Sequence, residues 1–165
     1  MAPERVRPDD VSLREITEDT VVAIIKLSVA ESQKHLVAPN AASLAQALFS
    51  KAAWYRAIYL GDEPVGFVML YDGSLLDPAP EEPEIGLWRF MVDERFQGRG
   101  IGREALRRVI EHVRAKGRFG KLELSYVPAD DNPEPFYRSL GFQPTGRMHE
   151  GEVVMELPLD SGDPG

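Results

Sequence analysis

One stretch of the sequence, Glu84 to Val113, most restricts what this chain can fold into, because it predicts a strand, a glycine-rich turn and a helix in direct succession. Residues 87–92 are apolar and β-prone except for Arg89, as expected of a strand covered on both faces. Beyond it, apolar residues recur every three or four positions, which is typical of a helix with one buried face. These residues are Ile101, Ala105, Leu106, Val109, Ile110 and Val113.

The turn between the strand and the helix, Gln97–Gly102, has the chemistry of an anion site. Its glycines leave backbone N–H groups uncovered and free to adopt positive φ, and the first turn of the helix adds unpaired donors and a positive dipole end. A phosphate or pyrophosphate suits such a turn, and Arg99 and Arg103 offer positive charge beside it. The alternative is a loop that only turns tightly. The sequence lacks the Gly-Lys-Ser/Thr of a P-loop and the glycine spacing of a dinucleotide fingerprint.

Composition predicts one globular domain over residues 11–159, with a flexible lead-in over 1–10 and a disordered tail over 160–165. The 165 residues contain no cysteine, which excludes disulfides and thiolate chemistry and fits a reducing compartment. No apolar run is long enough to span a membrane and no signal peptide is evident, so we expect a cytoplasmic protein without a membrane partner. The net charge of −8 argues against a nucleic-acid partner and is compatible with a cationic substrate.

Periodicity elsewhere predicts alternating strands and helices. A first helix that ends by Pro39 is expected to bury Val21, Ile24, Ile25 and Val29, and His112 is expected to be solvated on the polar face of the later helix. The other predicted elements are an edge strand over 11–16, a helix capped by Ser43, a hairpin of 54–60 and 65–71, a strand over 121–127, a helix capped by Asn132 and ended by Gly141, and a closing pair of strands over 143–149 and 152–159. The alternation predicts an α/β (α+β) fold with a mixed sheet and helices on both of its faces.

Two motifs carry a resemblance to a known family. Gln97-x-x-Gly100-x-Gly102 after an apolar strand resembles the acyl-CoA-binding signature of the GNAT superfamily of N-acyltransferases. The segment from Asn132 through Tyr137 to Gly141-Phe142 resembles that family's second signature, at a separation that suits one helix, one strand and a turn. The resemblance covers roughly residues 11–159.

This resemblance implies the GNAT fold, a mixed and mostly antiparallel central sheet of six to seven strands flanked by about four helices. It implies acetyl-CoA as the acyl donor, held where the strand ending at Val92 and the strand over 121–127 splay apart. Backbone N–H groups near Met91 and Val92 are expected to polarise the thioester carbonyl. The implied cofactor-binding residues are Phe90, Met91, Val92, Gln97, Gly98, Arg99, Gly100, Ile101, Gly102, Arg103, Asn132 and Tyr137.

For catalysis, the resemblance assigns Tyr137 as the general acid that protonates the leaving thiolate, because a phenol is protonated at neutral pH. The alternative is a tyrosine packed beside Phe136 for its apolar area. The family's usual position for a basic carboxylate falls on Gly86, so Glu84, two residues earlier and on the same strand face by period two, is the nearest substitute. A solvated Glu84 and a water chain without a dedicated base remain alternatives.

Within the superfamily, the segments 29–33, 87–97 and 151–155 resemble bacterial spermine/spermidine (diamine) acetyltransferases. The implied acceptor is a small-molecule amine, a polyamine, with Glu31, His35, Glu84 and Trp88 as substrate-binding candidates and Glu150 and Glu152 as further carboxylates. Other amines, namely an aminoglycoside, an amino acid or a protein N-terminus, and a non-catalytic acyl-CoA sensor are the alternatives. The three histidines show no metal-ligand spacing, so no metal is expected, and a homodimer is a possible assembly.

Overall fold

A single seven-stranded sheet forms the centre of the molecule in the computed structural model, which describes residues 4–159. Its strands are β1 (Val11–Arg14), β2 (Ala53–Leu60), β3 (Glu63–Asp72), β4 (Ile85–Val92), β5 (Lys121–Tyr126), β6 (Gln143–His149) and β7 (Glu152–Pro158). The α-helices of the described part are α1 (Val21–Lys26), α2 (Asn40–Ala47), α3 (Ile101–Lys116) and α4 (Glu134–Ser139). The strand order is β1-β2-β3-β4-β5-β7-β6, and only the β4–β5 pair is parallel. The predicted fold class is confirmed.

Helices cover the two faces of the sheet unequally. On one face α3 buries its whole predicted apolar stripe against β1, β3, β4 and β5, and α4 packs against the same cluster. Each fully buried Val, Leu or Ile contributes roughly 1.5–3 kcal/mol, so this stripe makes α3 the main support of the sheet. On the other face α1 and α2 cover only β2, β3 and β4. The side chains of Glu123 and Ser125 on β5 point to this second face, because Leu122 and Leu124 point to the first.

The two helices of the second face differ from their predictions. α1 ends at Lys26, so Val29 is buried beyond the helix, and Ile25 points outward with 43% of its surface exposed. α2 begins at Asn40, and Ser43, the predicted cap, is buried inside it. The side-chain amide of Asn40 donates to the Ile24 carbonyl of α1 at 2.9 Å. Tertiary contacts of this kind, rather than local propensity, fix where these short helices begin and end.

A buried ion pair fastens the end of α3 to β3. Asp72 is fully buried, and its Oδ2 accepts a hydrogen bond from Lys116 Nζ at 2.7 Å. Oδ1 accepts from both the backbone N–H and the hydroxyl of Ser74, at 2.9 and 2.6 Å. Burial alone would raise the pKa of Asp72, but the hydrogen bonds from Lys116 and Ser74 outweigh it and hold the pKa below its usual value.

The predicted solvated position of His112 is wrong. Its ring stacks on Trp54 with centroids 4.3 Å apart, and its Nε2 is buried without a hydrogen-bond partner among the described residues. Burial, together with the charges of Lys116 and Arg56, lowers the pKa of His112. The helix face that carries it is therefore packed against β2 rather than open to water.

Residues 4–10, part of the segment predicted to be a flexible lead-in, contact the rest of the domain. The backbone N–H of Val6 donates to the Arg99 carbonyl at 3.0 Å, and Arg108 donates to the carbonyls of Pro8 and Val11. This segment therefore lies against the start of α3 and its preceding loop. Residues 1–3 and the tail predicted over 160–165 lie outside the described residues.

Candidate active site

β4 and β5 form a fork: they are paired at one end, here called the closed end, and separate toward the other, the open end. They pair only at Gly86–Glu123 and Leu87–Leu124, so the second half of β4 has no neighbour on that edge. The pairing of β4 with β3 slips by one residue at the same place, because Met69 lies opposite Arg89 while Leu70 lies opposite Leu87. Trp88 is the extra residue of this β-bulge, and a bulge bends its strand and strengthens the local twist. The expected separation of the two strands is present, and the bulge lies at the point where their pairing ends.

Peptide groups of β4 that face the fork can be identified from their neighbours. The Val92 carbonyl accepts a hydrogen bond from the side chain of Gln97, away from β3, whereas the Asp93 N–H donates to Val65 of β3. The Met91 carbonyl also lies toward β3, since a Cβ added at Gly66 would meet it at 2.5 Å. Because successive peptide groups of a strand point to opposite edges, Phe90 and Val92 present their N–H groups to the fork. The expectation that Met91 shares this role is wrong.

The glycine-rich turn has the backbone of an anion site. Gly98 and Gly100 adopt φ of +82° and +88°, a region that favours glycine. The first hydrogen bond within α3 runs from the Glu104 N–H to the Gly100 carbonyl, so the N–H groups of residues 101–103 have no partner inside the helix. A Cβ added at Gly100 would have Arg5 Nη1, at 3.8 Å, as its nearest neighbour. The turn therefore presents uncovered donors at the open end of the fork, as a phosphate requires.

Gly102 serves a different purpose from Gly100. A Cβ added there would lie 3.4 Å from the Phe90 ring and 3.6 Å from Val92, so its small size lets the first turn of α3 lie close to β4. Ile101 beside it is buried in the core. These two residues position the donors of the helix N-terminus next to the fork.

Polar side chains of the turn are mostly engaged within the protein. Gln97 Nε2 donates to Gln33 Oε1 at 3.0 Å and to the Val92 carbonyl at 2.9 Å, which ties the turn to β4. Arg103 Nη1 donates to Ser139 Oγ at 2.6 Å, linking α3 to α4. Arg99 Nε donates to the Glu4 carbonyl at 3.2 Å. The side chain of Gln97 therefore shapes the turn, and both terminal nitrogens of Arg103 are engaged with Ser139, whereas Arg99 uses only its Nε.

Asp93 is a supporting residue that sequence reasoning missed. It is buried, its Oδ2 accepts from the Ser28 N–H at 2.9 Å, and its Oδ1 accepts from the N–H and Nε of Arg95. Burial would raise the pKa of Asp93, but the hydrogen bonds from Arg95 and Ser28 lower it below its usual value. An aspartate directly after a strand is a turn signal that could have revealed it.

Tyr137 lies at the first turns of α4, on the side of the sheet that carries α3. Its ring packs against Phe136, Phe142 and Tyr126, with centroids 5.4, 5.8 and 6.4 Å away. Burial raises the pKa of Tyr137 to about 12. Burial is the cause of this shift, and no hydrogen bond from residues 4–159 to its hydroxyl contributes. The ring is therefore a packing element, as the structural alternative supposed, while the hydroxyl is left as a proton donor.

Asn132 and Gly141 bracket α4. Asn132 is exposed, and its Oδ1 accepts from the Glu134 N–H at 2.9 Å, so it begins the turn two residues before the helix instead of capping it directly. Gly141 has φ of +104° just after the helix, as predicted for its terminal residue.

The second face of the fork carries a half-buried cation and a carboxylate. Arg89 and Met91 share this face with Met69 and Phe67 of β3. Arg89 Nη2 donates to Gln46 Oε1 of α2 at 3.0 Å, and Trp88 packs in the same cluster. Across the fork, Ser125 Oγ donates to Glu152 Oε1 at 2.8 Å. Arg89 was passed over in the sequence, although it is the one charged residue of an otherwise apolar strand.

Other predicted acceptor residues lie further from the fork. Glu31 is exposed and paired with Lys34 at 2.8 Å, and His35 is exposed in the turn that follows. Glu84 precedes β4 at the closed end of the fork, seven residues before Met91, which is about 23 Å along an extended strand. A basic role for Glu84 would therefore need a chain of water molecules, and it stays a prediction. Glu150 is exposed in the β6–β7 turn, beside His149.

The described residues provide neither a cluster of metal ligands nor a membrane-spanning helix. Within residues 4–159, no three His, Asp or Glu side chains are grouped so as to hold a metal ion. In the same part of the chain, no helix is both long enough and apolar enough to cross a membrane.

Comparisons with known proteins agree with this architecture. The chain is 27% identical over 152 residues to a spermine/spermidine N(1)-acetyltransferase of Bacillus subtilis (strain 168), covering 90% of this chain and 99% of that protein. It is 36% identical over 112 residues to the N-alpha-acetyltransferase RimI of Mycobacterium tuberculosis, covering 64% of this chain and 68% of that protein. Its fold is similar to that of the aminoglycoside acetyltransferase AAC(6')-Ib in complex with coenzyme A, with a TM-score of 0.72 at 16% identity, over 90% of this chain and 94% of that chain. Residues 21–142 match the model of the acetyltransferase (GNAT) family, and the chain therefore belongs to that family.

Proposed function

We propose that this protein is an acetyl-CoA-dependent N-acetyltransferase that transfers the acetyl group directly to a primary amine. The observation that carries the proposal is the fork of β4 and β5, which ends at a glycine-rich turn with unpaired N–H donors and is flanked by a free phenol. Bound acetyl-CoA would supply the reactive thioester. Residues 98–103 would hold its pyrophosphate, and Phe90 and Val92 would hydrogen-bond its extended arm as a neighbouring strand would. The lack of cysteine fits a reducing compartment, and we place the reaction in the cytoplasm.

Tyr137 is proposed to donate a hydrogen bond, and then a proton, to the leaving sulfur. With the pKa of Tyr137 raised to about 12, the phenol is fully protonated at neutral pH. An ordinary thiol has a pKa of about 8.5, so complete transfer would be uphill by about 5 kcal/mol if the sulfur were as well solvated as in water. The apolar neighbours of Tyr137 raise the proton affinity of both partners. Tyr137 therefore contributes first by hydrogen bonding, and the proton follows as negative charge develops on the sulfur.

The proposed acceptor is a polyamine such as spermidine or spermine. Support comes from the polyamine-acetylating relative that matches 90% of the chain and from Glu152 on the acceptor face. Among the described carboxylates on that face, Glu123 and Glu156 already pair with Lys121 and Arg147, whereas Glu152 bonds only to the neutral Ser125 hydroxyl. Glu152 is therefore free to receive a second ammonium group. A charge-assisted hydrogen bond of this kind contributes about 1.5–3 kcal/mol, or roughly ten- to a hundred-fold in affinity.

Release of free thiol from acetyl-CoA across a panel of amines tests the activity. We expect amine-dependent thiol release, together with CoA binding measured by calorimetry. Tight CoA binding without any release would favour the rival view, an acyl-CoA sensor that lacks turnover. A protein that does not bind CoA would contradict both.

The acceptor is tested by kcat/KM for spermine, spermidine, putrescine and a monoamine of matched length at two ionic strengths. Preference should increase with the number of charges and shrink as salt screens the site. Glu152→Gln keeps the hydrogen bond from Ser125 but removes the charge, and it should lower spermidine use about ten-fold while leaving the monoamine unchanged. Equal use of monoamine and spermidine by the unmodified enzyme would refute the polyamine assignment and leave the acetyltransferase proposal intact.

A further inference from the structure

Arg89 occupies an unusual position for a cation. It lies on β4 two residues beyond the last pair with β5, on the face of the fork where α2 and β7 approach. Its guanidinium is half-buried, and its Nε is buried without a hydrogen-bond partner among the described residues. Nη1 donates to the Trp88 carbonyl at 3.0 Å and Nη2 to Gln46 Oε1 at 3.0 Å, so both acceptors are neutral.

Groups around Arg89 leave most of its charge uncompensated. Burial lowers the pKa of Arg89, and the negative charge of Glu152 opposes that shift, yet the two side chains form no ion pair. α2 contributes the neutral Gln46, and β3 places the apolar Met69 directly opposite. An arginine remains protonated at any pH that an enzyme experiences, so this face of the fork carries a fixed positive charge.

From this placement we infer that Arg89 lowers the proton affinity of the bound acceptor amine and so supplies the neutral nucleophile that the reaction needs. The inference rests on the proposed function, in which the arm of acetyl-CoA lies along Phe90 and Val92, one and three residues beyond Arg89 on β4. A cation beside an ammonium group disfavours the protonated form, as it does for activated lysines. The role fits a chain with glycine at the family's usual base position and Glu84 at the closed end of the fork.

The proton balance of the step is simple. The acceptor ammonium releases one proton to water, and its nitrogen lone pair forms the C–N bond while the C–S bond breaks and its electron pair goes to sulfur. The nitrogen then loses a second proton as the amide forms, and Tyr137 provides one to sulfur and is reprotonated from solvent. The net release is one proton for each acetyl group transferred. Arg89 acts on the first of these losses only.

The expected size of the effect follows from Coulomb's law. A unit charge about 6 Å from the amine, in surroundings with an effective dielectric constant of about 40, lowers a pKa by about one unit. A primary amine has an ordinary pKa of about 10.4, so the neutral fraction at neutral pH increases about ten-fold. Glu152, whose charge also acts on Arg89, would hold the distal ammonium of the same acceptor across the fork.

The pH dependence of kcat at saturating spermidine tests the inference, because kcat reports ionisations of the bound complex whereas kcat/KM reports those of the free enzyme and free amine. We expect Arg89→Gln to lower kcat about ten-fold near pH 7.5, to lose little near pH 10.5, and to move the ascending limb of kcat up by about one unit, while kcat/KM changes little because KM falls with kcat. Arg89→Lys, which keeps the charge, should retain the profile of the unmodified enzyme. Arg56→Gln is the matched control, since Arg56 also stacks on a tryptophan, at 4.5 Å from Trp54, but lies outside the fork. It should leave the profile unchanged.

A second readout does not depend on turnover. Calorimetry in two buffers of different ionisation enthalpy gives the number of protons released when spermidine binds to the enzyme saturated with CoA. At pH 9.4, the unmodified enzyme should release about 0.4 proton from the reacting amine more than Arg89→Gln. Unchanged CoA affinity and thermal unfolding would show that Arg89→Gln is folded and that its donor site is intact.

Two outcomes would overturn the inference while leaving the proposed function standing. One is a loss of activity in Arg89→Gln that is equal at every pH, with unchanged proton release, which would make Arg89 a structural residue. The other is a loss confined to acceptors that carry a carboxylate, seen by comparing lysine with cadaverine, which would make Arg89 an anion-binding residue. Absence of CoA binding or of thiol release in the unmodified enzyme would instead refute the proposed function itself.

Discussion

Lys116→Met should destabilise the protein by about 3 kcal/mol at neutral pH, because it leaves the fully buried Asp72 without a counter-charge. Breaking a buried pair from one side usually costs about 3–5 kcal/mol. We take the lower end, because Lys116 is 25% exposed and water can reach part of the vacated volume, and because two hydrogen bonds from Ser74 remain. Methionine keeps the aliphatic stem, so most of the loss is electrostatic.

The pH dependence of this loss has a defined sign. In the unmodified protein the pKa of Asp72 is held below its usual value, so its contribution is present above the pKa of the unfolded chain and is lost as pH falls through the folded value. In Lys116→Met the burial that opposes this shift dominates, and Asp72 takes up a proton at higher pH. The difference between the two proteins should therefore be largest near pH 7 and smaller at pH 4.

Urea unfolding at both pH values, with the m-value checked for constancy, measures the difference. The double variant Asp72→Asn with Lys116→Met removes both charges while keeping an acceptor for Ser74, and it should recover about 1–2 kcal/mol of the loss. A loss below about 1 kcal/mol at pH 7, or an equal loss at both pH values, would refute the view that this pair fastens α3 to the sheet.

Two further predictions concern the donor site. Tyr137→Phe should lower kcat on the order of 10²-fold with unchanged CoA affinity, and near-normal turnover of the variant would leave Tyr137 a packing residue. Because the pKa of Tyr137 is about 12, the unmodified enzyme should lose no activity to phenol ionisation near pH 10. Gly100→Ala and Gly117→Ala impose similar strain at the two ends of α3, where φ is +88° and +62°, and each should cost about 1 kcal/mol. Only Gly100→Ala should weaken CoA binding, and equal affinities in calorimetry would contradict the anion-site assignment.

The parts of this fold that the sequence predicted well are those that depend on local sequence patterns. The buried face of α3, the glycine turn before it and the terminal Gly141 of α4 each depend on residues within one turn or one helix. Such features follow from backbone geometry and side-chain periodicity, which a single chain displays directly. The β2–β3 hairpin around Gly61 was predicted for the same reason.

Contacts between distant residues account for what the sequence did not predict. Gln97 binds Gln33, 64 positions away, and Asp72 binds Lys116, 44 positions away. Nothing in a local pattern indicates that His112 stacks on Trp54, since an amphipathic helix tolerates histidine on its polar side. Arg89 is recognisable in the sequence as the charged residue of an apolar strand. The face of the sheet on which its side chain lies depends on how β4 pairs with β3, and the sequence alone does not define that register.

The extra residue at Trp88 also separates two sets of side chains that a regular strand would mix. Ile85 and Leu87 before it, and Phe90 and Val92 after it, all contact the core under α3, although their numbers change from odd to even. A regular strand of the same sequence, without the bulge, would continue the odd-numbered positions into that core, so Arg89 would turn in and Phe90 out and the charged face would be reversed. The bulge is therefore what lets one strand give its apolar side chains to the core at both ends while Arg89 stays on the face proposed for the acceptor.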